Sequence, residues 1–247
     1  MSDFPRVLVA APTASAKKYC FSEWLDNVMA FDYPNFNVVL FDNTKDNGEF
    51  TQYMNQTHKD NYNSGNFIAA NSLKLNNSTA INVIEKMCLS HNDCRKHTLF
   101  HNYDYLLHLE TDVFPEKDVI QRLIFNKKRV VGAIYYRDEG RYRKPMLQRF
   151  IEPIPKHIQS VNFESNEDTC FIDGTLKQVS HVGLGCVLIE NKVLKKIPFR
   201  FEKQVEMHPD SFFAEDCLRN GIPIYADTSI ICRHDNQEWG TYGVDYK

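Results

Sequence analysis

Arg6-Val7-Leu8-Val9-Ala10-Ala11 is a short, unbroken apolar run that stops at Pro12-Thr13. Such a run predicts a strand buried on both faces. Beyond it, Phe21, Trp24, Leu25, Val28 and Met29 recur at helical spacing, and Tyr33-Pro34 ends that helix before a second run, Val38-Val39-Leu40-Phe41, which closes in Asp42-Asn43. Strand, helix and strand with short links predict a right-handed parallel βαβ unit. From Thr44 to Asn77 the chain is rich in Asn, Asp, Gly and Gln, which predicts loops around one short helix. Ile81, Ile84, Glu85 and Cys88 resume helical spacing. A third buried run, Tyr105 to Leu109, then ends in Glu110-Thr111-Asp112. Val119, Leu123 and Ile124 mark the next helix, and Val130 to Ile134 is a fourth run. This alternation predicts an α/β, doubly wound sheet.

The pattern changes at Tyr135. As far as Lys156 basic and aromatic residues interleave (Tyr136, Arg137, Arg141, Tyr142, Arg143, Lys144, Arg149, Phe150) and periodicity is lost. Strand character returns at Val179 to Val182 and Gly185 to Ile189. Helices are expected near Asn191 to Lys196 and Ser211 to Asn220, and strands at Ile224 and Ile230-Ile231. No repeat, low-complexity tract or linker divides the 247 residues. The expectation is one compact domain over 1–247 with a variable second half.

Composition adds little. Hydrophobic residues at 43% and charged residues at 25% exclude disordered and fibrous classes. A formal net charge of -3 gives no global attraction to nucleic acid or anionic lipid. Seven cysteines without a CxxC pair argue against a disulfide framework and a zinc knuckle, and for reduced thiols in a cytoplasmic protein. The opening apolar run is too short for a signal peptide or a membrane span, so the sequons at Asn55, Asn76 and Asn77 read as chance matches.

In an open parallel sheet, ligands bind beyond the carboxyl ends of the strands. Those ends carry Pro12-Thr13, Asp42-Asn43 and Glu110-Thr111-Asp112. Two carboxylates at i and i+2, leaving a strand into a turn, suit a hard divalent cation, and such a cation would bridge a diphosphate. Alternatively, Asp112 only caps the helix that follows. The acidic pair Glu215-Asp216 opens onto a predicted helix, where it either complements the helix dipole or supplies a base that deprotonates an attacking hydroxyl. His234, just past the last strand, is a candidate third ligand for Mn²⁺ or simply a polar residue.

Five pieces in order carry a resemblance: Val7 to Thr13, Tyr33-Pro34 leading to Val38 to Asn43, Tyr105 to Asp112 with Val113 and Pro115, His181 to Ile189, and Glu215-Asp216 followed by Gly221 through His234. Together they resemble the GT-A fold nucleotide-diphosphate-sugar glycosyltransferases, especially the small soluble bacterial, archaeal and viral members related to family 2. The resemblance implies a Rossmann-like, mostly parallel mixed sheet, with residues 1–113 binding the nucleotide sugar and 114–247 forming the acceptor and catalytic half. It implies that Pro12 and Thr13 border the nucleotide, that Asp42 contacts uracil or another base, and that Glu110, Thr111 and Asp112 occupy a DxD-like position. Asp112 and His234, with Glu110, would hold Mn²⁺ or Mg²⁺. Asp216, supported by Glu215, would be the catalytic base of an inverting transfer. Gly183, Leu184 and Gly185 would line the acceptor side, and a UDP-sugar is the expected donor. Two departures stand out: Glu110 where Asp is usual, and a segment from Tyr135 to Gln178 without a family motif.

Other enzyme classes fit poorly. No GxGxxG follows the first strand, and no GxxxxGK[ST] occurs anywhere, which removes dehydrogenase and P-loop readings. A nucleotidyltransferase, and a catalytically silent relative that binds glycan or nucleic acid through the basic, aromatic segment, remain as alternatives. In the latter case modified DNA is a conceivable acceptor or ligand, with steep salt dependence.

Overall fold

The computed structural model describes residues 4–63, 65–79, 82–138, 143–150, 160–162, 170–205 and 207–235. The first half runs β1 (Val7–Thr13), α1 (Lys18–Met29), β2 (Phe36–Asp42), α2 (Glu49–Asn61), β3 (Phe67–Asn71), α3 (Ser72–Leu75), α4 (Val83–Phe100), β4 (Tyr105–Leu109), β5 (Val113–Phe114), α5 (Val119–Phe125) and β6 (Val130–Ile134). The second half adds β7 (Tyr136–Asp138), β8 (Arg143–Pro145), β9 (Leu147–Phe150), β10 (Ser160–Asn162), β11 (Leu176–Val179), β12 (His181–Val182), β13 (Cys186–Glu190), α6 (Asn191–Lys196), α7 (Pro209–Arg219), β14 (Ile224–Ile231) and β15 (Arg233–His234).

Eight strands form the main sheet in the order β11-β14-β6-β13-β4-β1-β2-β3. β1 pairs in parallel with β2 and β4, β2 with β3, and β14 with β6. β13 is antiparallel to both neighbours, β4 and β6, and β11 to β14. The sheet is therefore mixed, with β1, β2, β3, β4, β6 and β14 all running the same way. Along β1 the two faces alternate. Val7, Val9 and Ala11 join one core cluster with Phe21 and Trp24 of α1, Phe50 and Met54 of α2, and Ile120 of α5. Leu8 and Ala10 join a second cluster with Cys88 and Cys94 of α4, Leu194 of α6 and Phe213 of α7. This is why the strand reads as an unbroken apolar run: both faces are covered.

The polar stretch after Asn43 holds more structure than its composition predicts. α2 spans 13 residues but buries only Phe50, Met54 and His58, an i, i+4, i+8 stripe too narrow to dominate the pattern. Asp46 starts it, its carboxylate accepting from the backbone nitrogens of Gly48 at 2.9 Å and Phe50 at 2.8 Å. β3 is the parallel edge strand, with Ile68 left exposed. β14 is longer than its two apolar fragments suggest, because Asp227 and Thr228, both buried, lie within it at a break in register. Such a bulge re-aims the strand, whose far end leads to β15.

The cysteines are all free, six buried and Cys170 exposed. No helix among the described residues is long and apolar enough to cross a membrane.

Candidate active site

Co-directional strands bring their carboxyl ends to one edge of the sheet, and β13, running the other way, contributes its amino end there. Cys186 pairs with Leu109, so the loop Gly183-Leu184-Gly185 lies directly against Glu110, whose backbone nitrogen donates to the Gly185 carbonyl at 3.0 Å. β6 delivers Tyr135 to the same place. The glycines are needed because of this ring. A Cβ on Gly183 would stand 2.2 Å from the Tyr135 hydroxyl oxygen, and one on Gly185 would stand 2.4 Å from its Cζ. The Tyr135 hydroxyl in turn accepts from the Gly185 backbone nitrogen at 3.0 Å.

The two-stranded ribbon of β5 and β15 explains how residues far apart in sequence meet. His234 pairs with Val113, and the Asp235 nitrogen donates to the Asp112 carbonyl at 2.8 Å. His234 Nε2 thereby lies 3.4 Å from Asp112 Oδ2. Lys17, before α1, places its ammonium on the same carboxylate oxygen. Burial alone would raise the Asp112 pKa, but the hydrogen bond from His234 and the charge of Lys17 outweigh it and hold the group at about 2. Glu110 is enclosed and has the ionised Asp112 beside it, and it is pushed up to about 7, with Lys17 and His234 opposing the shift. The two carboxyl groups of the acidic triplet are thus driven apart by their surroundings.

A cavity of about 520 Å³ opens over these residues, lined by Glu110, Tyr135, Leu184 and His234 on one part and by His181, His208, Asp210 and Ser211 on another. Asp210 lies in the first turn of α7, after Pro209 at the helix start. His181 Nε2 is 3.5 Å from its Oδ2, and the Ser211 nitrogen donates to Oδ1 at 2.7 Å. Burial opposes ionisation of Asp210, yet His181, His208 and that backbone donor keep its pKa well below the usual carboxylate range. Asp210 was not among the candidates drawn from the sequence. A signal existed in His208-Pro209-Asp210: proline at the first helical position followed by an acidic residue marks a helix start.

The pair Glu215-Asp216 does not line this cavity. Both carboxylates bind Arg200, at 3.0 Å and 2.7 Å, and Glu215 also binds Arg219. The helix begins at Pro209, so the pair sits in mid-helix and its carboxylates serve an ion cluster, not the helix start.

The remaining expected residues fall into three groups. Asp42 is wholly buried, Oδ1 accepting from the Thr44 nitrogen at 2.9 Å and Oδ2 from the Thr51 hydroxyl at 2.7 Å, and burial raises its pKa. It fixes the loop after β2 and turns neither oxygen outward. Thr13 and Thr111 are buried with hydroxyl oxygens 3.1 Å apart, tying the end of β1 to the acidic triplet, while Pro12 is half-buried. From the basic, aromatic segment, Arg137 and Lys144 are cross-strand partners that line the cavity. Arg143 stacks on Tyr136 at 5.2 Å, and residues 139–142 and 151–159 lie outside the described part.

For a cation, the donor chemistry fits. His234 Nδ1 donates to the Tyr136 carbonyl at 2.8 Å. Against the effect of burial, Asp112 raises the ring's pKa by taking a hydrogen bond from Nε2, and a cation that displaced the Nε2 proton would find its lone pair aimed at the Asp112 carboxylate. A carboxylate oxygen and an imidazole nitrogen suit Mn²⁺ or Mg²⁺, and the Lys17 ammonium shows that this carboxylate takes a cationic partner. Among the described residues, no three side chains form a complete cation cage.

The architecture is the GT-A fold of the glycosyltransferases. It is shared with TarS residues 1–349 of S. aureus, solved with UDP-GlcNAc (TM-score 0.55, 15% identity, 94% of this chain and 60% of that one). It is shared too with GalNAc-T7, solved with UDP, GalNAc and Mn²⁺ (0.62, 10%, 95% and 44%). The mannosyltransferase PcManGT from Pyrobaculum calidifontis, solved with GDP-Man and Mn²⁺, is similar as well (0.60, 13%, 98% and 60%). The chain spans less than two thirds of the length of each of these proteins. No protein-family model matches the sequence, and no curated protein sequence does.

Proposed function

We propose that the protein is a glycosyltransferase that moves a sugar from a nucleotide diphosphate, a UDP-sugar in the first instance, to an acceptor hydroxyl with inversion. The observation that carries this reading is one cavity, on a GT-A fold, holding the ionised Asp210 together with Glu110 and His234. Asp112 and His234 would hold Mn²⁺ or Mg²⁺, with Glu110 beside them and donor oxygens completing the set. A bound cation offsets the charge that builds on the departing diphosphate. Pro12, Thr13 and the loop held by Asp42 border the nucleotide.

Asp210 is the base in this reading, in place of Glu215 and Asp216. Its pKa is held well below the usual carboxylate range, and His181 both orients it and accounts for much of its low proton affinity. A diphosphate bound near Glu110 adds negative charge to the cavity, which raises that affinity toward the range a base needs. As the acceptor oxygen attacks the anomeric carbon, its proton passes to Asp210, and the bond to the diphosphate breaks on the opposite face. Leu184, with the glycines packed on Tyr135, forms the acceptor wall.

Thermal-shift measurements with UDP-, GDP-, CDP- and dTDP-sugars, with and without Mn²⁺, test the donor and the cation together. A ligand that binds only the folded state at a hundred times its Kd adds about 2.7 kcal/mol of stability. Asp112→Asn is expected to abolish the Mn²⁺-dependent part of that shift without lowering the ligand-free Tm by more than a few degrees. Absence of any shift with all donors would overturn the proposal.

A further inference from the structure

α4 turns an unexpected face to the sheet. His91 and Asp93 are buried where its helical periodicity calls for aliphatic side chains. The His91 ring packs against His108 at 4.8 Å and Phe199 at 5.1 Å between centroids. Its Nδ1 lies 2.9 Å from Nε2 of His108, and Nδ1 of His108 lies 2.5 Å from the Leu184 carbonyl oxygen. The carbonyl only accepts, so His108 carries its proton on Nδ1. Its Nε2 is then the lone-pair nitrogen, and the proton between the two rings belongs to His91 Nδ1. In a neutral His91, this leaves Nε2 without a proton. Burial, with His108 and His208 nearby, pushes the His91 pKa well down, so the ring is neutral in the physiological range. This ring lines the same cavity as Glu110 and Asp210.

We infer that His91 Nε2 is a preset hydrogen-bond acceptor for a hydroxyl of the donor's sugar, its tautomer fixed by the chain from Leu184 through His108. The assignment rests on the glycosyltransferase reading above and names which part of the donor this wall recognises. A neutral nitrogen with a lone pair accepts and cannot donate. Diphosphate oxygens, which only accept at neutral pH, gain nothing there, whereas sugar hydroxyls each bring a proton. The sugar concerned is the donor's. His108 lies on β4, the strand that delivers Glu110 and Asp112, and the donor's sugar is bonded directly to the diphosphate assigned to those residues. His91 is thus a positioning and specificity residue.

Two measurements test this. Imidazole ¹⁵N–¹H spectra of the wild-type protein are expected to show His91 protonated on Nδ1 and bare on Nε2; the opposite tautomer overturns the inference. Affinities for UDP-glucose, UDP-N-acetylglucosamine and GDP-mannose, each compared with its bare nucleoside diphosphate, report the sugar's share of binding. His91→Asn keeps a donor near the Nδ1 position and removes the Nε2 acceptor. It is expected to weaken the preferred nucleotide sugar roughly tenfold, the scale of one hydrogen bond, while leaving the bare diphosphate unchanged. His91→Gln returns an amide oxygen near the Nε2 position and is expected to recover most of the loss. Equal weakening of both ligands, or of neither, overturns the role of His91 alone. A wild-type protein that binds none of these three, nor any CDP- or dTDP-sugar, sinks the glycosyltransferase reading itself, and this assignment with it.

Discussion

The Tyr135 ring packs directly on the backbone of Gly183 and Gly185, with no room for a Cβ at either position. A Cβ at residue 183 would meet the phenolic oxygen, and the Met146 carbonyl oxygen lies 3.2 Å away. Gly183→Ala is therefore expected to destabilise the protein by about 1–3 kcal/mol, the usual range for overpacking. Tyr135→Phe removes the obstructing oxygen, although it also removes the acceptor for the Gly185 nitrogen. In a double-mutant cycle read by denaturant unfolding, the pair is expected to cost less than the sum of the single changes. Strict additivity would show that the ring and residue 183 do not press on each other. At this scale the sequence revealed Asp112 and His234 as candidates, because a carboxylate leaving a strand and a histidine after one are local features. His91 stayed hidden, since it stands in no pattern that separates it from ordinary core, and Tyr135 was read only as the start of the basic, aromatic segment.

Within α7 the two acidic positions are separated by roughly 140° and 240° of helical rotation, at 100° per residue from Asp210 to Glu215 and Asp216. Asp210 lines the cavity, and Glu215 and Asp216 do not. The first-turn carboxylate faces Glu110's cavity, and the later pair anchors Arg200, whose guanidinium also stacks 4.0 Å from the centroid of Phe212. Asp210→Asn is expected to retain donor affinity but lose turnover by roughly 10²–10⁴-fold, the span typical of a lost general base. Asp216→Asn is expected to keep turnover near wild type and to change stability by about 1 kcal/mol or less, as for a partly exposed ion pair. Steady-state transfer or donor hydrolysis by the two variants separates these outcomes, and loss confined to Asp216→Asn would return the base to that residue. The sequence placed an acidic pair near a helix start. The helix begins at Pro209, ahead of both, and its first turn carries Asp210 instead.

At the scale of the whole molecule, buried imidazoles tie stability to pH. His97, packed against Phe41 and His101, is held at about 4 by burial and by His101, and His108 is held at about 4 by burial, although its bond to Leu184 opposes the shift. A histidine whose folded pKa is depressed takes up its proton in the unfolded chain first. Its contribution is complete above the unfolded value near 6.5 and is lost as pH falls through 4. Unfolding free energy is expected to decline from pH 6.5 toward pH 4, and His97→Gln is expected to flatten that limb by an amount on the order of 1 kcal/mol. Urea titrations at pH 7 and pH 4.5 read the difference directly; identical slopes for wild type and variant would show that His97 is not protonated differently on unfolding. The order of buried runs and amphipathic helices was enough to establish an α/β sheet wound on both faces, because burial imposes its period on neighbouring residues and periodicity is local. Which side chains share a cavity was decided only by the tertiary structure. The insertion of antiparallel β13 beside β4, and the ribbon that carries His234 back to Asp112, depend on pairings between segments many tens of residues apart. No local pattern records such pairings, so the sequence offers carboxylates and only the tertiary structure shows which of them line one cavity.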